Sequence, residues 1–188
     1  PFGLPDCILS ERPFRESTSP KQKEGMPMRM ETQVLAEAYR DRLYAAAFQV
    51  CKNPADAEDA AQEALLRYHV STKEFESEDH IRFWLLRVAI NCAKNAGSSF
   101  WRRKTVPLED YMDTLEFPTG ESRELFAAVM ALPEKYRLVI HLHYYEDESV
   151  AQIARLLNLT ESNVKVRLSR GRGMLREKLQ EEWDNDEP

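Results

Sequence analysis

Apolar residues recur at helical spacing through most of the chain after Glu31. Ala36, Tyr39, Leu43, Ala46, Ala47 and Val50 mark one stripe; Ala57, Ala60, Ala61, Ala64, Leu65 and Tyr68 mark a second. Asn53-Pro54 separates them: an N-cap residue, then proline at the first helical position, where the missing N–H has no partner to lose. The alanine-rich second stripe suits close helix packing. After the polar loop STKEFESED, a third helix is predicted with Ile81, Trp84, Leu85, Val88 and Cys92 on its buried face, ended by Gly97 and two serines. Phe75 and Trp84 are expected in the core. These helices form one domain over residues 31–103.

Residues 104–119, KTVPLEDYMDTLEFPT, contain two prolines and no period, which predicts a flexible linker. Helical spacing resumes over 120–180. Leu125, Phe126, Val129 and Met130 give one helix, and Leu132-Pro133 restarts the chain into EKYRLVIHLHYY. Ser149 with Gln152 forms a capping box for a helix carrying Val150, Ile153, Ala154 and Leu157. A short turn at Asn158-Leu159 follows, and Thr160 caps the last helix. Period-two alternation of comparable strength is absent. The expected fold is all-α: two small helical domains joined by a flexible linker, the C-terminal one containing a helix-turn-helix. Residues 1–30, with five of the ten prolines, read as a disordered leader, and 181–188 as an acidic tail.

Charge changes this picture by its distribution. The chain carries a net charge of −6, yet residues 81–105 hold six basic and no acidic side chains, and residues 161–178 hold six against two. Two basic blocks in an acidic chain point to two contacts with a polyanion. The acidic blocks between them suit a basic partner, or solubility. No run of 18 apolar residues exists, so no membrane insertion is expected. The N-terminus lacks the apolar core of a secretory signal, and Cys7, Cys51 and Cys92 form no C-x-x-C. The chain reads as cytoplasmic, without disulfides or structural zinc.

The second basic block lies on the last helix. Val164, Leu168, Gly171 and Leu175 fall on one face, which would pack on the preceding helix. Ser162, Lys165, Val166, Ser169 and Arg170 fall on another, spaced by three or four, and suit a major groove: lysine and arginine to guanine edges or phosphates, valine to a thymine methyl. Thr160 and the first-turn amides can hold a phosphate. Arg167, Arg172 and Arg176 are placed for the DNA backbone. Gly171 and Gly173 each cost a helix about 1 kcal/mol relative to alanine. Gly171 allows close packing, whereas Gly173 has no evident reason, so fraying is expected there.

The stretch ALPEKYRLVIHLHYYEDESVAQIARLLNLTESNVKVRLSRGRGMLREKL resembles region four of bacterial RNA polymerase sigma factors of the small extracytoplasmic-function type. LPEKYR, S-x-x-x-I-A-x-x-L and V-K-x-R-L-x-R-x-R-x-x-L stand in order, with Gly171 in place of the usual alanine. NPADAEDAAQEALLRYHV followed by FWLLRVAINCAKN resembles region two of the same family. Together the resemblances cover roughly residues 34–178, with no intervening third region. They imply that Thr160, Ser162, Lys165, Val166, Ser169, Arg170 and Arg172 read the −35 promoter element. The polar stripe Arg87, Asn91, Lys94 and Asn95, with Arg102 and Arg103 beyond it, would then bind the −10 element and a base flipped from the melted strand. Phe100 and Trp101 could stack on bases there or pack on the domain.

The second helix also carries Asp56, Asp59 and Glu63 on one face, with Gln62 beside them. Like charges at this spacing cost an isolated helix a few tenths of a kcal/mol per pair, which a basic partner would relieve. The resemblance implies docking there onto the clamp of the polymerase's largest subunit, and pairing of the chain with an anti-sigma protein. The linker agrees: sixteen extended residues reach about 50–55 Å, and promoter elements about 17 base pairs apart are separated by about 58 Å.

Two other classes meet the same residues less well. A stand-alone helix-turn-helix regulator would bind promoter DNA tightly without polymerase, usually at a two-fold operator. An enzyme is not expected. His141 and His143, two apart, point to different helix faces, and the chain lacks a phosphate loop, H-E-x-x-H or G-x-S-x-G. No cofactor is implied.

Overall fold

The computed structural model describes residues 28–96 and 107–185, the last five by backbone alone. The described residues form eight helices and no strand: α1 (Thr32–Cys51), α2 (Pro54–Val70), α3 (Glu78–Ala96), α4 (Leu108–Met112), α5 (Gly120–Ala131), α6 (Glu134–Tyr144), α7 (Val150–Leu157) and α8 (Glu161–Asn185).

Local chemistry sets the breaks. Lys52 turns the chain left-handed with φ 53°, and the Asn53 side chain then accepts from the Asp56 N–H to cap α2. The Ser77 hydroxyl caps α3 through the His80 N–H at 3.1 Å. The alanine stripe of α2 is buried at all six positions expected, which lets α1, α2 and α3 pack closely as a bundle. On α3 the buried arc is Ile81, Leu85, Leu86, Ala89, Ile90 and Ala93. Trp84, Val88 and Cys92, expected at its centre, are only half-buried at its edge. The arc is rotated because α3 meets α7 as well as α1 and α2. Phe75, in the otherwise polar loop, is buried against Tyr68 and Trp84.

The leader boundary also shifts. Arg29 donates to the carbonyls of Tyr68, His69 and Ser71 at the C-terminus of α2, and Met30 exchanges hydrogen bonds with the Tyr68 hydroxyl. Residues 28–30 are therefore fastened to the bundle, since a cation satisfies the last carbonyls of a helix. Residues 1–27, the remainder of the leader, lie outside the described residues, as do 186–188 of the acidic tail.

Within the linker, α4 lays Tyr111 against Phe48, ring centroids 4.7 Å apart, and joins the Tyr111 and Tyr44 hydroxyls at 2.9 Å. On α5 the buried residues are Ala128, Val129 and Met130, while Leu125, expected inside, is exposed. The capping box of Ser149 and Gln152 opens α7. A Schellman turn closes it: Asn158 is left-handed, and the Leu159 N–H reaches the Ala154 carbonyl at 2.8 Å.

The two helical sets pack on each other, α1 against α6 and α3 against α7, and share one apolar core. Arg137, 2% exposed, donates to the carbonyls of Leu132 and, across the boundary, Gln49, both at 2.7 Å. Arg42 pairs with Glu146 at 2.8 Å and Arg82 with Glu148 at 2.5 Å.

Candidate nucleic-acid interface

The first candidate surface begins with the cap of α8. Thr160 Oγ1 accepts from the Asn163 N–H at 3.2 Å and so satisfies one of the first-turn amides that a helix start leaves without a partner. Val164, Leu168 and Gly171 are buried, and Leu175 is half-buried. Their burial against α6 and α7 fixes the helix's rotation, so that Ser162, Lys165, Val166, Ser169, Arg170 and Arg172 are exposed together with Thr160. All seven expected groups thus lie free of the core on one edge of the domain.

Gly171 explains the close approach. A Cβ there would sit 3.1 Å from Ile140 Cγ1 and 3.5 Å from Tyr136 Cβ, tighter than most real contacts on the first count. Gly173 would meet nothing within 4 Å, yet α8 is continuous through both glycines, so the expected fraying does not occur.

Three further residues belong to this surface. Lys135 and Tyr136, at the N-terminus of α6, line a cleft with Thr160, Val166 and Arg170. Arg170 hydrogen-bonds the Tyr136 hydroxyl, which lowers the phenol's pKa. Asn163 accepts from Arg167 Nε at 2.7 Å and holds that guanidinium along the helix. Lys135 and Tyr136 escaped the sequence because the packing of α6 on α8, not spacing along the chain, brings them there. Arg172 reaches the exposed Tyr144 hydroxyl at 3.4 Å.

The second surface is on α3. Asn91, Lys94 and Asn95 are exposed and Arg87 is half-buried, so the stripe is continuous over two turns. Arg102 and Arg103, with Phe100 and Trp101, lie outside the described residues.

The third surface is the acidic face of α2. Asp59 and Gln62 are exposed, and Asp56 and Glu63 half-buried. Part of the repulsion expected there is relieved internally. Glu63 pairs with Arg67 at 2.7 Å, and Glu58, held below the usual carboxylate range by hydrogen bonds from Gln62 and Arg40, pairs with Arg40. Leu66 and Val70 continue this face, 56% and 69% exposed, and add an apolar end that the alanine stripe concealed. Among the described residues no three His, Cys, Asp or Glu side chains converge to hold a metal, and no helix is long and apolar enough to cross a membrane.

An exposed polar ridge on the second helix of a helix-turn-helix, joined to a separate helical bundle with its own polar stripe, defines a two-part helical DNA-binding protein. Residues 35–105 match the family described as Sigma-70 region 2, and residues 122–175 match Sigma-70, region 4. The ECF RNA polymerase sigma factor SigW of Bacillus subtilis is 30% identical over 169 residues, covering 78% of this chain and 88% of that protein. SigF of Caulobacter vibrioides, also an ECF RNA polymerase sigma factor, is 30% identical and shares 67% of this chain and 72% of its own. The fold resembles the sigma factor RpoE of Bartonella quintana, crystallised with the anti-sigma factor NepR. The TM-score is 0.59 at 19% identity, over 79% of this chain and 96% of that one.

The chain belongs to the extracytoplasmic-function sigma factors. It is a promoter-recognising subunit of bacterial RNA polymerase, and its partners are the core enzyme and promoter DNA.

Proposed function

We propose that the three surfaces divide the work of initiation. Thr160, Ser162, Lys165, Val166, Ser169, Arg170 and Arg172 read the −35 element, with Lys135 and Tyr136 on flanking phosphates. Arg87, Asn91, Lys94 and Asn95, continued by Arg102 and Arg103, bind the −10 element and hold its melted strand. Asp56, Asp59, Gln62 and Glu63 dock on the clamp of the largest core subunit, with Leu66 and Val70 adding apolar area. The chain supplies position and melting rather than bond chemistry, acts in the cytoplasm beside the polymerase, and is held inactive by an anti-sigma protein, as RpoE is found with NepR.

The observation that carries this reading is the exposed ridge of α8, set by the burial of Val164, Leu168 and Gly171 beneath it. Amides suit base edges, and guanidinium and ammonium groups suit guanine edges and phosphates. Arg170→Ala is expected to lower transcription from a cognate promoter by about five- to a hundredfold, since one good base contact is worth about 1–3 kcal/mol, and to leave core affinity unchanged. Run-off transcription beside a core-binding titration checks this. Equal loss of both would count against a role for Arg170 in DNA reading.

A further inference from the structure

An unattached arginine side chain samples many rotamers, and fixing it on DNA forfeits that freedom. On α8 the arginines at 167, 170 and 172 are each held by a hydrogen bond before any DNA arrives. Asn163, one turn earlier, accepts from Arg167. The other two are held from outside the helix, by tyrosines of α6. Arg170 and Tyr136 line the same cleft as Thr160 and Val166, and the guanidinium donates to the phenol oxygen there. Arg172 donates to the Tyr144 hydroxyl at 3.4 Å.

Gly171, between these two arginines, sets the distance. It is buried on α6, where a Cβ would lie 3.1 Å from Ile140 Cγ1 and 3.5 Å from Tyr136 Cβ. The crossing therefore brings the two helices close enough for both flanking arginines to reach phenols rooted on α6. Each phenol is itself braced. Lys135 Nζ lies over the Tyr136 ring, 5.0 Å from its centre. The Tyr144 ring meets His143 edge-on at 4.9 Å, and His143 Nδ1 is joined to the Glu148 carbonyl at 3.1 Å. Tyr136 is half-buried and Tyr144 is 51% exposed, so both side chains stand at the rim of the domain.

One bond to a phenol leaves most of a guanidinium for DNA. Arginine carries five N–H donors in a rigid fork, and a bidentate contact with a guanine edge takes two. A phenol can thus fix the plane of the fork without occupying the donors that read. Its hydroxyl is uncharged, so it holds the cation without neutralising it, as a carboxylate would. The Tyr136 hydroxyl accepts from Arg170 and keeps its own proton to donate to a flanking phosphate.

We infer that α6 is a positioning element for the −35 ridge: Tyr136 holds Arg170, and Tyr144 holds Arg172, in the poses in which they meet DNA. This rests on the −35 reading proposed above. Tyr136→Phe and Tyr144→Phe test it, since each keeps the ring and its packing and removes only the hydroxyl. The full chain, bound to core polymerase, transcribes a library of templates in which the −35 element of a cognate promoter is varied at each base pair. Each variant is expected to lower transcription from the best template about two- to tenfold, the effect of leaving one long side chain to be ordered on binding. Tyr136→Phe should also flatten the preference at the base pair where Arg170→Ala flattens it. Most of its effect should vanish when Arg170 is already alanine, and likewise for Tyr144→Phe with Arg172→Ala. Losses that multiply in full in the double variants, or a loss from Tyr136→Phe that is uniform over all templates, would overturn the positioning role. So would phenylalanine variants that transcribe as the wild type does. If the two alanine variants are themselves silent, the −35 reading fails and this inference with it. If they act and the phenylalanines do not, the positioning role alone fails.

Discussion

Arg137 carries a guanidinium to a position 2% exposed and meets three carbonyls there, those of Gln49, Met130 and Leu132. Burial lowers its pKa, but a guanidinium remains charged at any ordinary pH. Its fork therefore ties the α5–α6 turn to the end of α1 and leaves few donors idle. The motif LPEKYR marked this arginine without indicating that it was buried, because a charge in sequence is read by default as solvated. The glycines of α8 were visible, and the structure separates their roles. Gly171 faces Ile140 and Tyr136, whereas Gly173 faces open space. Gly173→Ala is expected to raise stability by about 1 kcal/mol, through helix propensity alone. Gly171→Leu should lower it by about 1–3 kcal/mol, through overpacking against Ile140. Urea midpoints of both variants check the contrast; equal effects would mean that α6 can move away from α8.

At the scale of elements, α2 was legible in full because its six buried positions share one narrow stripe and its cap and proline fix where it starts. The helix-turn-helix was legible for the same reason: capping box, tight turn and second cap follow one another in the chain. The buried arc of α3 was only partly legible. A helix that touches three neighbours has a wide apolar face, and periodicity cannot give its centre. Helix α4 was missed because five residues between prolines show no period, and its hold comes from Tyr111 meeting Phe48 and Tyr44. The outer face of α2 leads to a prediction for the whole helix. Asp59→Lys with Glu63→Lys should weaken core association at least tenfold and leave the helix intact, since a new cation one turn from Arg67 costs only a few tenths of a kcal/mol. Unchanged core affinity at native helical content would remove the acidic face from the docking surface.

For the whole molecule, the segregation of charge along the sequence had two meanings, and only one was apparent. The basic block on α8 faces outward, whereas on α3 Lys94 is exposed, Arg87 is half-buried and Arg82 of the same block turns inward onto Glu148. Part of the acidic block between them turns inward, where Glu146 and Glu148 pair with Arg42 and Arg82 over 104 and 66 residues of chain. No local pattern reports a contact at that separation. The central claim is that one chain reads two promoter elements only on the polymerase. Co-elution of the full chain with bacterial core RNA polymerase, followed by run-off transcription on a library of genomic fragments, measures this directly. Stoichiometric co-elution, with new start sites that share two elements about 17 base pairs apart, is the predicted result. A folded protein that ignores core and binds a two-fold operator by itself would contradict it.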